Sequence, residues 1–169
     1  MAADFVSIVR RCLNYFFLRN GEPDVEMTCI DNGKANTHNS LYVRDFLKIK
    51  DKYSSFTGNN VPVVIIETDV DTDKSLLLIK DSYAHSLVPF LSKHYSKITM
   101  IDMRYINTSI SRIINLDEYQ QVMFMYNVIS FADDSNLSKL ILTKQKLKVA
   151  VDFLKLHKAL DDGNDGYLS

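Results

Sequence analysis

The amino-acid sequence predicts an α/β domain built on a mostly parallel, doubly wound sheet, and three observations predict it. Short apolar runs recur at residues 76–79 (LLLI), 97–102 (KITMID) and 121–126 (QVMFMY), each the length of a strand. Between the first two, Leu87, Phe90, Leu91 and Tyr95 follow helical spacing, and residues 109–114 suit a short helix. Each run ends in polar residues, Asp81-Ser82, Asp102 to Arg104, and Asn127. Strands alternating with helical connections favour parallel pairing with right-handed crossovers, which brings these polar ends to one edge.

Composition fits one domain over residues 1–169, with 46% hydrophobic and 24% charged residues. A net charge of −1 and a sequence pI near 6.4 carry no electrostatic footprint of a general nucleic-acid binder. Cys12 and Cys29 have no C-x-x-C partner, so no zinc site is expected.

From the amino terminus, Phe5, Ile8, Val9, Cys12, Leu13 and Phe16 recur at helical spacing and predict an amphipathic helix. Arg10 and Arg11 interrupt its apolar stretch and no small-residue cleavage site follows, so it does not read as a signal peptide, and it is too short for a membrane span. Packing on the domain is the default for it, with a membrane-surface role as the alternative. Turn clusters at 20–23 and 31–33 bracket a strand at 25–30. Residues 36–40, which include His38, read as a loop, and 41–50 as a short helix capped by Asn39 or Ser40.

After a turn at 57–60, residues 61–67 (VPVVIIE) form a strand with Pro62 near its start, where a missing N–H is tolerated. The turn at 69–73 joins this strand to the one before Ser82, and the two are expected to be antiparallel. Asp69, Asp71 and Asp73 open like a calcium loop, but Lys74 stands at the required glycine and Lys80 at the bidentate glutamate. The acidic run at 161–166 lacks a closing carboxylate, and residues 161–169 read as a solvated tail. No metal and no cofactor are expected. The longest helical pattern, 137–160, carries Leu140, Ile141, Leu147, Val151 and Leu154 and is expected to cover one sheet face; partner docking is the alternative.

Ser82 is the candidate nucleophile. It sits where a strand gives way to a helix, at the edge where open α/β sheets bind ligands, and helix-start N–H groups there can stabilise an oxyanion. The alternative is that Asp81 and Ser82 only cap the helix.

The strings IKDSYAHSLVPFLSKHYSKITMIDMRY (79–105), KDKYSSFTGNN (50–60) and FMYNVISFADD (124–134) resemble the DHHW protein family of bacteria. The resemblance covers residues 41–134, leaving 1–40 divergent and 135–160 as a carboxyl-terminal helix. That family is similar to SGNH-hydrolase-like proteins of polysaccharide O-acetylation. The resemblance implies a flavodoxin-like three-layer α/β/α sandwich and serine esterase or O-acyltransferase chemistry on carbohydrate hydroxyls, with a membrane-bound O-acyltransferase as a partner and an extracytoplasmic location. Carried over, Ser82 matches the serine of a Gly-Asp-Ser block in which Lys80 replaces glycine, and Asn127 matches an oxyanion-donating asparagine. Asp81, Arg104 and Tyr105 become substrate-binding candidates. Without the resemblance, Asn127 is a strand-end turn former and Arg104 a surface charge.

The chain departs from the family in having no Trp and no Asp-His pair upstream of Ser82. His85, three residues past Ser82, is the candidate base, although neighbours on one helix face rarely align for proton transfer. His38 has no sequence neighbour that marks it as a base, and His94 and His157 sit in amphipathic helical patterns as ordinary, partly exposed residues. Two expectations follow: a carboxyl-terminal, truncated part of a family member with weak or no activity alone, or a noncatalytic carbohydrate- or partner-binding module. Without an export signal, a chain complete as given is expected in the cytoplasm.

Overall fold

The structure, a computed structural model, describes residues 24–139. The helix expected at 5–18, the tail at 161–169 and all of the 137–160 helix beyond Lys139 lie outside the described residues. Six strands form one sheet: β1 (Val25–Asp31), β2 (Lys34–His38), β3 (Val63–Thr68), β4 (Ser75–Lys80), β5 (Lys97–Ile101) and β6 (Gln121–Met125), in the order β2-β1-β3-β5-β4-β6.

The sheet corrects the expected fold class. It is mixed: β1 pairs antiparallel with both β2 and β3, and β3 pairs antiparallel with β5, so that only β4 with β5 and β4 with β6 are parallel. Nor is it a three-layer α/β/α sandwich. The described α-helices are short, α1 (Val88–Leu91) and α2 (Val128–Asp133), and the other connections are 3₁₀ turns. The physical reason is local. Asp81, Asp102, Asn115 and Asn127 each bend back to accept an N–H two or three residues on, which starts a tight turn and leaves little chain for a long helix.

Two further expectations change. β3 and β4 run in opposite directions but are not hydrogen-bonded neighbours, because β5 lies between them. His38 ends a strand rather than lying in a loop: Asn32 and Gly33, with φ of 48° and 75°, make the two-residue turn that folds β2 back on β1. β2 escaped notice because its residues KANTH are polar and mostly exposed, with no alternation to mark it. Gly33→Ala puts a Cβ into a left-handed backbone with open space around it, so strain alone acts; a loss of about 1 kcal/mol is expected from chemical denaturation. The 41–50 helix contracts to a 3₁₀ turn at Arg44–Lys48 without a side-chain cap, and that at 109–114 to a 3₁₀ turn at Ile110–Arg112.

What positions the site is the parallel unit. β4 is buried along its whole length, with Leu77 and Ile79 packed to one face and Leu76 and Leu78 to the other. The β4–β5 connection covers the second face through Ala84 and Val88, and the β5–β6 connection covers the first through Met103, Ile106, Ile110 and Tyr119. After β6, α2 returns Phe131 to the first face. Chains leaving the adjacent strands β4 and β6 therefore turn to opposite faces, the topology that in open α/β sheets puts ligand sites at the carboxyl ends.

Candidate functional site

Each carboxyl end is built from a polar residue that caps the turn following it. Asp81 is fully buried; its Oδ1 accepts from Tyr83 N–H at 2.9 Å, and its Oδ2 from Asn127 N–H at 2.9 Å and Asn127 Nδ2 at 2.6 Å. Asp102 caps the Met103–Tyr105 turn in the same way. The β4 and β6 ends are tied by this Asp81–Asn127 clamp, which sets the entry angle of the Ser82–Ser86 turn.

Ser82 is half-buried just past the carboxyl end of β4. Its carbonyl accepts from Tyr53 Oη at 3.0 Å, whereas its Oγ and its N–H have no hydrogen-bond partner among the described residues. Asn127 lies beside it, but both Nδ2 protons are engaged, on Asp81 and on Ser130 Oγ at 2.5 Å. To serve an oxyanion it must release Ser130, so Ser82 N–H is the donor that stands ready.

His85 faces away from that task. Only 2% exposed, it lies against Thr57 Oγ1 and Phe56 O through Nδ1, the latter at 3.2 Å, and against Lys80 Nζ at 2.8 Å and Asn60 Oδ1 at 3.1 Å through Nε2. Burial and then the Lys80 charge push its pKa down to about 4, so the ring is neutral at physiological pH. It makes no hydrogen bond to Ser82. His38 ends β2, and His94 is exposed in the turn before β5, at the opposite end of the sheet. Among the described residues no histidine bonds to Ser82.

Sequence reasoning missed the network beneath the Ser82–Ser86 turn. Lys80 is fully buried, with Nζ 3.3 Å from Asp102 Oδ2. Burial pushes the ammonium below its ordinary value while Asp102 opposes the shift. Burial would raise the Asp102 carboxyl, but hydrogen bonds from Arg104 and the charge of Lys80 outweigh it and hold it low. Arg104 grips Asp102 with Nε at 2.9 Å and Nη2 at 2.7 Å, lies over the Tyr105 ring at 5.7 Å and keeps its side chain 32% exposed. Arg104 is therefore bound to the network and reaches solvent, and Tyr105 beside it is exposed. The available signal was the cationic Lys80 closing an otherwise apolar run, with Asp102 ending the next strand as Asp81 follows β4.

Against solved structures, the fold matches a DHHW family protein from Eubacterium siraeum at TM-score 0.54 and 26% identity, over 64% of this chain and 36% of that one. The chain resembles the DHHW family in structure. This DHHW-like core also matches PatB1 of Bacillus cereus at TM-score 0.52 and 19% identity, over 62% of this chain and 36% of that one. PatB1 with a sulfonyl adduct matches at TM-score 0.54 and 20% identity, over 66% and 38%. The chain thus spans little more than a third of the length of these structures. No family model and no curated protein matches the sequence.

Proposed function

We propose that this DHHW-like chain is an acyl-transfer domain of the SGNH-hydrolase kind, with Ser82 as nucleophile and an ester of a carbohydrate, or an acyl donor to one, as substrate. The observation that carries this reading is the placement of Ser82: it stands at the carboxyl end of the central parallel strand, where open α/β sheets bind ligands, with Oγ and N–H both unengaged. In the reaction Ser82 Oγ attacks the acyl carbonyl carbon and its proton passes to a base. The tetrahedral oxyanion accepts a hydrogen bond from the Ser82 N–H, and the ester C–O bond breaks as the leaving oxygen takes the proton from the base and departs as the alcohol, leaving an acyl-serine. Water or a sugar hydroxyl then displaces the serine. Arg104 and Tyr105 stand at the same edge as ligand contacts, while Asp81 acts from below as a clamp.

Among the described residues His85 does not serve as the base, because it is buried in its own hydrogen bonds. A serine without its base loses most of its advantage, although an oxyanion hole retains some. The same observation favours the second reading, a noncatalytic module that binds carbohydrate at this edge. An extracytoplasmic place of action and a membrane-bound acyltransferase partner go with the first reading.

Intact mass after incubation with an aryl sulfonyl fluoride, with and without added imidazole as an external base, tests the proposal. A single sulfonyl adduct is expected on the wild type, faster with imidazole and absent from Ser82→Ala. No Ser82-dependent adduct under either condition would sink the nucleophile and leave the binding module, in which Ser82→Ala leaves oligosaccharide affinity unchanged.

A further inference from the structure

We infer that the segment Tyr53 to Asn60 is a brace for the nucleophile turn, and that Tyr53 is a positioning residue for Ser82. This role rests on the reading of Ser82 as nucleophile. The segment grips the Ser82–Ser86 turn along its length. Tyr53 Oη donates toward Ser82 O at 3.0 Å and Tyr83 O at 3.1 Å and lies 3.4 Å from Ser86 Oγ. Phe56 O, Thr57 Oγ1 and Asn60 Oδ1 surround the His85 ring. The Tyr53 ring meets both Phe56 and His85 edge to face, with centroids at 5.7 and 6.4 Å.

The backbone of the brace carries strain. Thr57 is fully buried and adopts φ 56°, a left-handed conformation that a β-branched residue rarely takes. Hydrogen bonds hold it there, from its N–H to Leu41 O at 2.8 Å, between its hydroxyl and His85, and from Cys29 Sγ to its carbonyl at 3.9 Å. A strained residue persists only where its surroundings over-determine it, and such residues cluster at functional sites. Here the strain turns Oγ1 onto the histidine of the nucleophile turn.

The consequence for Ser82 is that both of its peptide planes are pinned. On the amino side, Asp81 O accepts from Ala84 N–H at 3.3 Å, and one peptide earlier Asp81 N–H donates to Met125 O at 3.1 Å. On the carboxyl side, the plane is held at both ends, the Ser82 carbonyl by Tyr53 Oη at 3.0 Å and the Tyr83 N–H by Asp81 Oδ1 at 2.9 Å. With both planes fixed, the Cα–Cβ bond of Ser82 has one direction, and the orientation of a nucleophile is a large part of its reactivity. Removing the Tyr53 hydroxyl loosens the carbonyl end of the carboxyl-side plane and leaves Asp81 Oδ1 as its remaining hold.

Tyr53→Phe keeps the ring and its packing, so it isolates that hydroxyl. Labelling of the full chain by an aryl sulfonyl fluoride, followed over reagent concentration, separates the maximal rate from the half-saturating concentration. About a tenfold fall in the maximal rate is expected, with half-saturation unchanged. A maximal rate equal to that of the wild type overturns the brace, and so does a change confined to half-saturation, which makes Tyr53 a reagent contact instead. These two failures leave the nucleophile reading intact. Absence of Ser82-dependent labelling in the wild type removes the nucleophile and the positioning role together.

Discussion

Asp102→Ala is expected to cost about 3–5 kcal/mol of folding stability, because it strands the buried Lys80 ammonium. In the native chain that ammonium has Asp102 and the neutral His85 ring as its partners. Arg104 loses its bidentate partner too, but its side chain is a third exposed and can turn to water, so it adds little to the loss. Urea denaturation measures the effect. The double variant Lys80→Met/Asp102→Ala removes both charges and is expected to recover much of the loss, since an apolar pair of similar volume is often no worse than a buried ion pair. If Asp102→Ala alone costs less than about 1 kcal/mol, water reaches Lys80 and the network is not the sealed unit its geometry describes.

Acid is expected to weaken the fold in a window set by His85, by about 3 kcal/mol between pH 6.5 and 4. The folded-state pKa of about 4 lies below the ordinary value of 6.5, so between the two the unfolded chain binds the proton and the native chain does not. Stability therefore rises with pH across this window and is flat above it. Asp102 acts at lower pH. Its carboxyl is depressed in the fold, so its contribution is full above the unfolded value near 3.9 and is lost as pH falls through the folded one. Urea unfolding at pH 7, 5.5 and 4.5 resolves the His85 window. His85→Gln is expected to flatten it, and a slope that survives the substitution assigns the acid sensitivity to another group.

Both effects arise in a part of the molecule that the sequence showed only in outline. The apolar runs at 76–79 and 97–102 marked β4 and β5, and the polar residues that close them marked the edge on which Ser82, Arg104 and Asn127 meet. Asp81 as a cap was legible because an Asp at a strand-to-turn junction has one obvious acceptor role, which it fills toward Tyr83. That the same carboxylate also clamps Asn127 was not legible, because the two lie 46 residues apart and only the β4–β6 pairing makes them neighbours.

The sequence by itself determined β1 and β3 to β6, their polar ends and the junction at which Ser82 stands, because these follow from local periodicity and from side chains acting on their own backbone. Only the tertiary structure decided strand order and direction. The insertion of β5 between β3 and β4 depends on contacts between distant segments, and local pattern records no partner for a strand. It likewise decided the roles of Lys80, His85 and Tyr53: a histidine three residues from a serine is a candidate base in one dimension. In three it is a buried pin, held by residues 53–60 and by a lysine whose only counter-charge within salt-bridge distance among the described residues comes from another strand end.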